Sequence, residues 1–342
     1  MSLWEEIQSQ PEVLGTLATS QMEPAREIAA WMAEQDFSYV VMAARGSSDN
    51  AARYAQYLWG ARNRLNVALA APSLYGPYRS PPDLGASLVV GISQSGESPD
   101  LLAVLTEGKN QGRPTLAITN RVDSPMARLA DQHLDLAAGP EMAVAATKSY
   151  TTQLLAIGAL SAAISGDAGM TEELQLVAPA VSRVLAKADG MMPPAQTLSS
   201  KDRCVVIGRG FHHSSAHEWA LKIAELSYLV AQPFSAADFR HGPLAMVEPG
   251  LPVLAIATDG PLFDDVSDLL AQIREVGAEV VAISDRGDCP ADHLIGLPTG
   301  LPEWLSPIPA IVAAQIFTYH LTRAKGADPD RPRRLKKVTR TV

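Results

Sequence analysis

Short apolar runs recur along the chain, each followed by a turn of small polar residues and then by a helix-spaced pattern. Val89, Val90 and Ile92 form one such run, apolar on both faces, as expected of a strand in the middle of a parallel sheet. Ser93, Gln94, Ser95, Gly96 and Ser98 follow it, and Pro99 with LLAVL (101–105) reads as the first turn and body of a helix. A helix start offers unpaired N–H groups and the positive end of a dipole, an arrangement suited to an anion. Three serines at such a place suit a phosphate monoester. The same pattern also describes an ordinary serine-rich capping turn.

The pattern repeats. VMAARG (41–46) is matched by VVIGRG (205–210), VVGISQSG (89–96) by VLAIATDG (253–260), and LAITN (116–120) by VAISD (281–285). In each half the last two strands flank a helical stretch, LLAVLTEGKNQG in the first and VSDLLAQIREVGA in the second. Strand, helix, strand implies a right-handed parallel crossover, so each half is expected to be a doubly wound parallel α/β sheet. The halves differ where it matters chemically. Ser93, Gln94 and Ser95 become Ala257, Thr258 and Asp259, which removes hydroxyls and adds a charge that would repel phosphate. Between them, residues 150–195 read as helical, and KADGMMPPAQTL (187–198) reads as a boundary.

Length and composition narrow the possibilities. A chain of 342 residues with 47% hydrophobic and 19% charged residues suits about two globular domains. A net charge of −9 argues against a nucleic-acid partner. No apolar run is long enough for a membrane span, and MSLWEEIQSQ does not read as a secretory signal. Cys204 and Cys289 lie far apart in no metal-ligand spacing, so Cys204 is expected in the core and the chain in the cytoplasm. No cofactor and no metal are expected.

At the level of motifs the chain resembles the sugar isomerase (SIS) family, and most closely the isomerase half of glucosamine-6-phosphate synthase. EIQSQPEVL (6–14), RGSS (45–48), SQSGES (93–98), EMAVAATKSYTTQ (141–153), EWALKIAELSY (218–228), FRHGPLAMVE (239–248) and DPDRPRRLKKVTRTV (328–342) occur in that family's order. The resemblance implies two tandem doubly wound SIS domains, flavodoxin-like or Rossmann-like, with flanking helices. The expected divisions are a helical lead-in at 1–35, a phosphosugar-binding domain at 36–190, a second domain at 191–327, and a tail at 328–342 lying over the active site. It places Ser48, Ser93, Gln94, Ser95 and Ser98 on the phosphate and its neighbouring hydroxyls, and Val144 on a backbone contact to the sugar. Glu225 falls on the carboxylate that moves a proton between C1 and C2, and Lys222 on an active-site lysine. His241 falls on a histidine of ring opening, supplied by the neighbouring subunit of a homodimer. Lys337 falls on the tail lysine that forms an imine with an open-chain ketose. Lys336 stands where the synthase usually has alanine, which leaves the lysine register open between the two.

Taken as side chains alone, the same residues have plainer readings. Glu218 and Glu225 share a helical face that solvent could cover, and Lys222 with Glu225 is an ordinary i, i+3 pair. His241 sits before Gly242 and Pro243 in a loop, and six basic residues (Arg331, Arg333, Arg334, Lys336, Lys337, Arg340) would by default be a solvated tail. The resemblance reverses these readings for Glu225, Lys337 and His241, and implies an enzyme. The 342 residues lack the synthase's glutaminase domain, so the expected reaction is amino-sugar phosphate deamination, glucosamine 6-phosphate to fructose 6-phosphate and ammonia. Isomerase or deglycase action on another amino-sugar or fructosamine phosphate, a glutaminase-less aminotransferase, and a non-catalytic phosphosugar sensor remain alternatives.

Overall fold

The computed structural model describes residues 1–337; Arg340 of the basic tail lies outside them. The chain divides into two compact units. One comprises residues 12–141, 148–175 and the tail from Lys336; the other comprises residues 1–11, 142–147 and 176–335. We call them the N-unit and the C-unit.

The N-unit is built on a parallel sheet of β1 (Tyr39–Ala43), β2 (Asn66–Leu69), β3 (Ser87–Ser93), β4 (Thr115–Thr119) and β5 (Gln132–Asp135), in the order β2-β1-β3-β4-β5. β3 is buried along its whole length, as its apolar run requires, and pairs with β1 from Tyr39 opposite Ser87 to Ala43 opposite Gly91. The Pro99–Asn110 helix begins with proline in its first turn and buries Leu101, Val104 and Leu105 at i, i+3, i+4 spacing. On the unit's helical side, the Ser47–Asn63 helix is tied to the Lys148–Ser165 helix by the Trp59 indole, which donates to the Ile157 carbonyl at 3.2 Å.

The C-unit repeats the plan with β6 (Arg203–Gly208), β7 (Val230–Ser235), β8 (Pro252–Ile256), β9 (Glu279–Ser284) and β10 (His293–Gly296). Its order, β7-β6-β8-β9-β10, is the same as in the N-unit, and all pairings are parallel. The internal repeat read from the sequence is therefore a repeat of topology. The His212–Ser227 helix packs on the Pro307–Ala324 helix, with Trp219 edge-on to Phe317 at 5.5 Å. The stretch 187–198 is not an open linker: it forms a 3-10 turn (Ala188–Met191) and then a short helix (Met192–Thr197) that uses its prolines in the first turn. Both cysteines are buried in the C-unit, where burial raises the Cys204 thiol to about 12 and the Cys289 thiol to about 11. No helix among the described residues is long and apolar enough to cross a membrane.

Candidate active site

In a doubly wound sheet, ligands bind where the strand order reverses, outside the carboxyl ends of the strands. In the N-unit that point lies between β1 and β3, and the serine turn leaves β3 there. Gly96 takes φ +64°, and a Cβ on it would collide with the Ser124 side chain. The glycine is thus required by packing against Ser124, beyond any closeness to a ligand. The Ser93 hydroxyl accepts the Gly96 N–H at 3.0 Å and the Ser95 hydroxyl accepts the Glu97 N–H at 3.3 Å. Both hydroxyls keep a proton to donate. Ser98 precedes the helix but its side chain makes no capping bond. Ser48, near the start of the Ser47–Asn63 helix, accepts from Gln153 Nε2 at 3.0 Å, which joins the first loop to the Lys148–Ser165 helix. Arg45, from the loop after β1, pairs with buried Asp100 at 2.7 Å beside the turn.

The same point of the C-unit's sheet is occupied by protein. His212 Nε2 lies 2.8 Å from Thr258 Oγ1 and 2.9 Å from Ser306 Oγ, all three buried. Burial lowers the imidazole to about 3, so it is neutral at ordinary pH. Gly208 at the end of β6 has no room for a Cβ because the His212 carbonyl stands there. Asp259, expected to repel phosphate, is ion-paired to Arg286 at 3.0 Å. The two switch points differ, then, mainly because the second is plugged by a hydrogen-bonded histidine.

Two carboxylates that sequence reasoning missed organise the flanking segments. Glu141 in the N-unit has a fully buried side chain and binds the Lys337 ammonium at 2.6 Å, the Ser149 N–H at 3.0 Å and the Ser149 hydroxyl at 2.7 Å. Burial alone would raise its carboxyl, but the Lys337 charge and these hydrogen bonds outweigh that and hold it below its ordinary value. Glu6 in the C-unit is buried and accepts the Met142 N–H at 2.5 Å and the Ala143 N–H at 3.2 Å, which fixes the backbone leading into half-buried Val144. Neither the Glu141–Lys337 pair nor the Glu6–Met142 bond could be found from local spacing, since each joins residues more than a hundred positions apart.

The proton-transfer candidates lie on the C-unit. Lys222 is buried on the His212–Ser227 helix, 2.5 Å from Glu225 and 3.6 Å from fully buried Glu218. Glu225 keeps 24% of its side chain exposed, so it is the member of the triplet open to a ligand. Glu218, expected as part of a solvated face, is instead an inner anchor for the lysine. His241 is exposed at the end of the short Ala236–Arg240 helix and is not bonded to the Lys222–Glu225 pair. Its neighbour Arg240 grips Asp265 with one bond to the carboxylate at 3.0 Å and one to the backbone carbonyl at 2.6 Å. Arg209 binds the same carboxylate. The predicted residues therefore fall into two sets: Ser48, Ser93, Gln94, Ser95, Ser98 and Lys337 on the N-unit, and Lys222, Glu225, His241 and Val144 on the C-unit.

Comparison with known proteins finds a family match in each half of the chain. The SIS domain family profile matches residues 79–163 and 197–294, one stretch in each half. A glutamine–fructose-6-phosphate aminotransferase (isomerizing) of Thermococcus kodakarensis is 35% identical over 97% of this chain and 56% of its own length. The chain thus spans about half the length of that relative. Among solved structures, the C-terminal domain of glucosamine-fructose-6-phosphate aminotransferase from Francisella tularensis superposes with a TM-score of 0.89 at 27% identity, covering 96% of this chain and 98% of that one. A protein described as a phosphosugar isomerase, from Silicibacter pomeroyi DSS-3, gives 0.86 at 30% identity, covering 96% of this chain and 100% of that one.

Proposed function

The chain belongs to the SIS domain family, and from that premise we propose that it is a phosphosugar isomerase that converts glucosamine 6-phosphate and water to fructose 6-phosphate and ammonia. The observation that carries the reading is Glu225: a carboxylate open to solvent on one side and held at 2.5 Å by a buried lysine. A single carboxylate of this kind can take the proton from C2 of an open-chain aldose and return it to C1. The relatives' names, which concern amination of fructose 6-phosphate, support the same C1–C2 chemistry on the same sugar phosphate.

The remaining groups divide the work. The Ser93–Ser98 turn, with Ser48 and Gln94 beside it, binds the phosphate and supplies binding energy that positions the reacting end. The Val144 backbone contacts the sugar. His241, contributed by a second copy of the chain in a homodimer, serves as acid and base in opening the ring, a task suited to imidazole. Proton transfer from C2 to C1 leaves an imine at C2. The Lys337 amine adds to C2, the C2 amine leaves as ammonia, and water then hydrolyses the lysine imine to free the ketose. Lys337 must be neutral to attack, so its ammonium gives its proton to solvent as it leaves the ion pair with Glu141, 2.6 Å away.

The test is an ammonia-release assay over glucosamine, galactosamine and fructosamine 6-phosphates, with fructose 6-phosphate measured in parallel. Equal amounts of ammonia and fructose 6-phosphate from the glucosamine compound are expected. Ammonia from another member of the panel alone would move the substrate assignment. Binding of all three with no turnover would replace the enzyme with a phosphosugar sensor.

A further inference from the structure

Beside Glu225 the C-unit has a cavity of about 480 Å³, lined by Ala224, Glu225 and Tyr228 at the end of the helix and by Arg333, Arg334 and Leu335 of the C-terminal strap. The Arg333 guanidinium lies over the Tyr228 ring, 4.4 Å from its centroid, and the Arg333 backbone N–H donates to the Tyr228 hydroxyl at 2.9 Å. Tyr228 and Arg334 both hold positive φ, 58° and 61°, a conformation unfavourable for residues with a side chain. The strap is therefore fixed on the helix end by ring, hydroxyl and backbone shape together. The one carboxylate in the wall, Glu225, is already bonded to Lys222. Among the described residues neither guanidinium is bonded to a carboxylate. In a chain of net charge −9, this concave surface carries two guanidiniums that no carboxylate among the described residues engages.

We propose that this cavity is an oxyanion subsite, in which Arg333 and Arg334 hold a phosphate or carboxylate group other than the one bound by the Ser93–Ser98 turn. Guanidinium groups match such anions by paired N–H donors, and stacking on Tyr228 pre-orients one of the two forks. The anion is either a second acidic group on the substrate or part of a separate effector molecule. The subsite is argued from the strap alone and stands whether or not the serine turn binds phosphate.

The experiment is calorimetric titration of the full chain with inorganic phosphate, comparing wild type, S95A/S98A, R333Q/R334Q and the combined variant. S95A/S98A is expected to keep one phosphate site, and adding R333Q/R334Q should weaken it roughly tenfold or more, the loss expected for charged hydrogen bonds. R333K/R334K, which keeps the charge and loses the forks, should fall between. Circular dichroism of each variant separates lost binding from lost folding. No phosphate binding to S95A/S98A, or binding that the arginine changes leave untouched, overturns the subsite. Two kinetic arms then separate the sources. A KM raised by R333Q/R334Q only for N-carboxymethyl glucosamine 6-phosphate assigns the anion to the substrate. Loss of a phosphate-dependent change in kcat on glucosamine 6-phosphate assigns it to an effector.

Discussion

The Glu141–Lys337 pair holds in place the lysine on which turnover depends in the proposed reaction. Glu141 is buried and its carboxyl is held low by Lys337 and Ser149 against the opposing effect of burial. A carboxyl lowered on folding contributes stability above its unfolded value, near 4.5, and loses it as pH falls through the folded value. Glu141→Gln should therefore reduce stability by roughly 1.5–3 kcal/mol near neutrality, the range for hydrogen bonds to charged groups. The gap from wild type should close as the pH falls below 4.5 and on through the folded value. Urea midpoints across that range read this directly, and a gap independent of pH would contradict the assignment. The same variant should trap more Lys337 with borohydride and a ketose phosphate, because the ammonium loses the carboxylate that stabilises its charge. A second residue-level outcome concerns the serine turn. Ser95→Ala and Ser98→Ala should each raise KM for the sugar phosphate about tenfold or more, for loss of one bond to a charged group. Ser98→Ala should leave the melting temperature unchanged, since the Ser98 side chain makes no capping bond to lose.

Among the elements, the short Ala236–Arg240 helix matters because it presents His241. Arg240 and Arg209 converge on Asp265, whose carboxyl would be raised by burial but is held low by these two guanidiniums. Asp265→Asn keeps one acceptor and removes the charge, so the loop should loosen while β7 and β8 stay in place. Ring opening should slow, seen as a kcat several-fold lower on the cyclic substrate, with an open-chain ketose phosphate much less affected. Equal losses on both would place Asp265 in the fold rather than in positioning His241. The elements themselves were largely legible in the sequence, because VVGIS, VVIGRG, VLAIA and VAIS carry apolar residues on both faces and repeat in order. The serine turn and the lysine–glutamate spacing on EWALKIAELSY were legible for the same local reason. What was hidden was every partner set by folding: Glu141 for Lys337, Glu6 for the Val144 loop, Asp265 for Arg240, and His212 against Thr258 and Ser306. Those pairs are separated by tens to hundreds of positions, and a buried carboxylate looks in sequence like an exposed one. Composition alone would leave the basic tail solvated; instead Arg333 lies stacked on Tyr228 and Lys337 is ion-paired.

At the scale of the whole molecule, the two units repeat one topology and yet keep different chemistry. The N-unit leaves its switch point lined with hydroxyls, while the C-unit fills the same point with His212 and supplies instead a helix bearing Lys222 and Glu225. Duplication of a binding fold followed by plugging of one copy leaves that copy's surface available for other roles. His241 fits such a role: its side chain is exposed, and the loop beneath it is clamped by Arg240 rather than by the histidine's own bonds. An acid–base group exposed to bulk water would gain little from its surroundings, so the proposed role of His241 requires a second copy to cover it. Two inactive variants, His241→Ala and Glu225→Gln, should then regain activity when mixed under conditions where subunits exchange. With each dimer holding two composite sites, a mixed dimer carries one intact site and one doubly altered site. At equal concentrations and random exchange, half the dimers are mixed, and recovered activity should approach about a quarter of wild type. Light scattering establishes the dimer independently of catalysis. Exchange demonstrated by a mass-tagged subunit, with no activity regained, would place His241 and Glu225 in the same chain's site and remove the need for a partner.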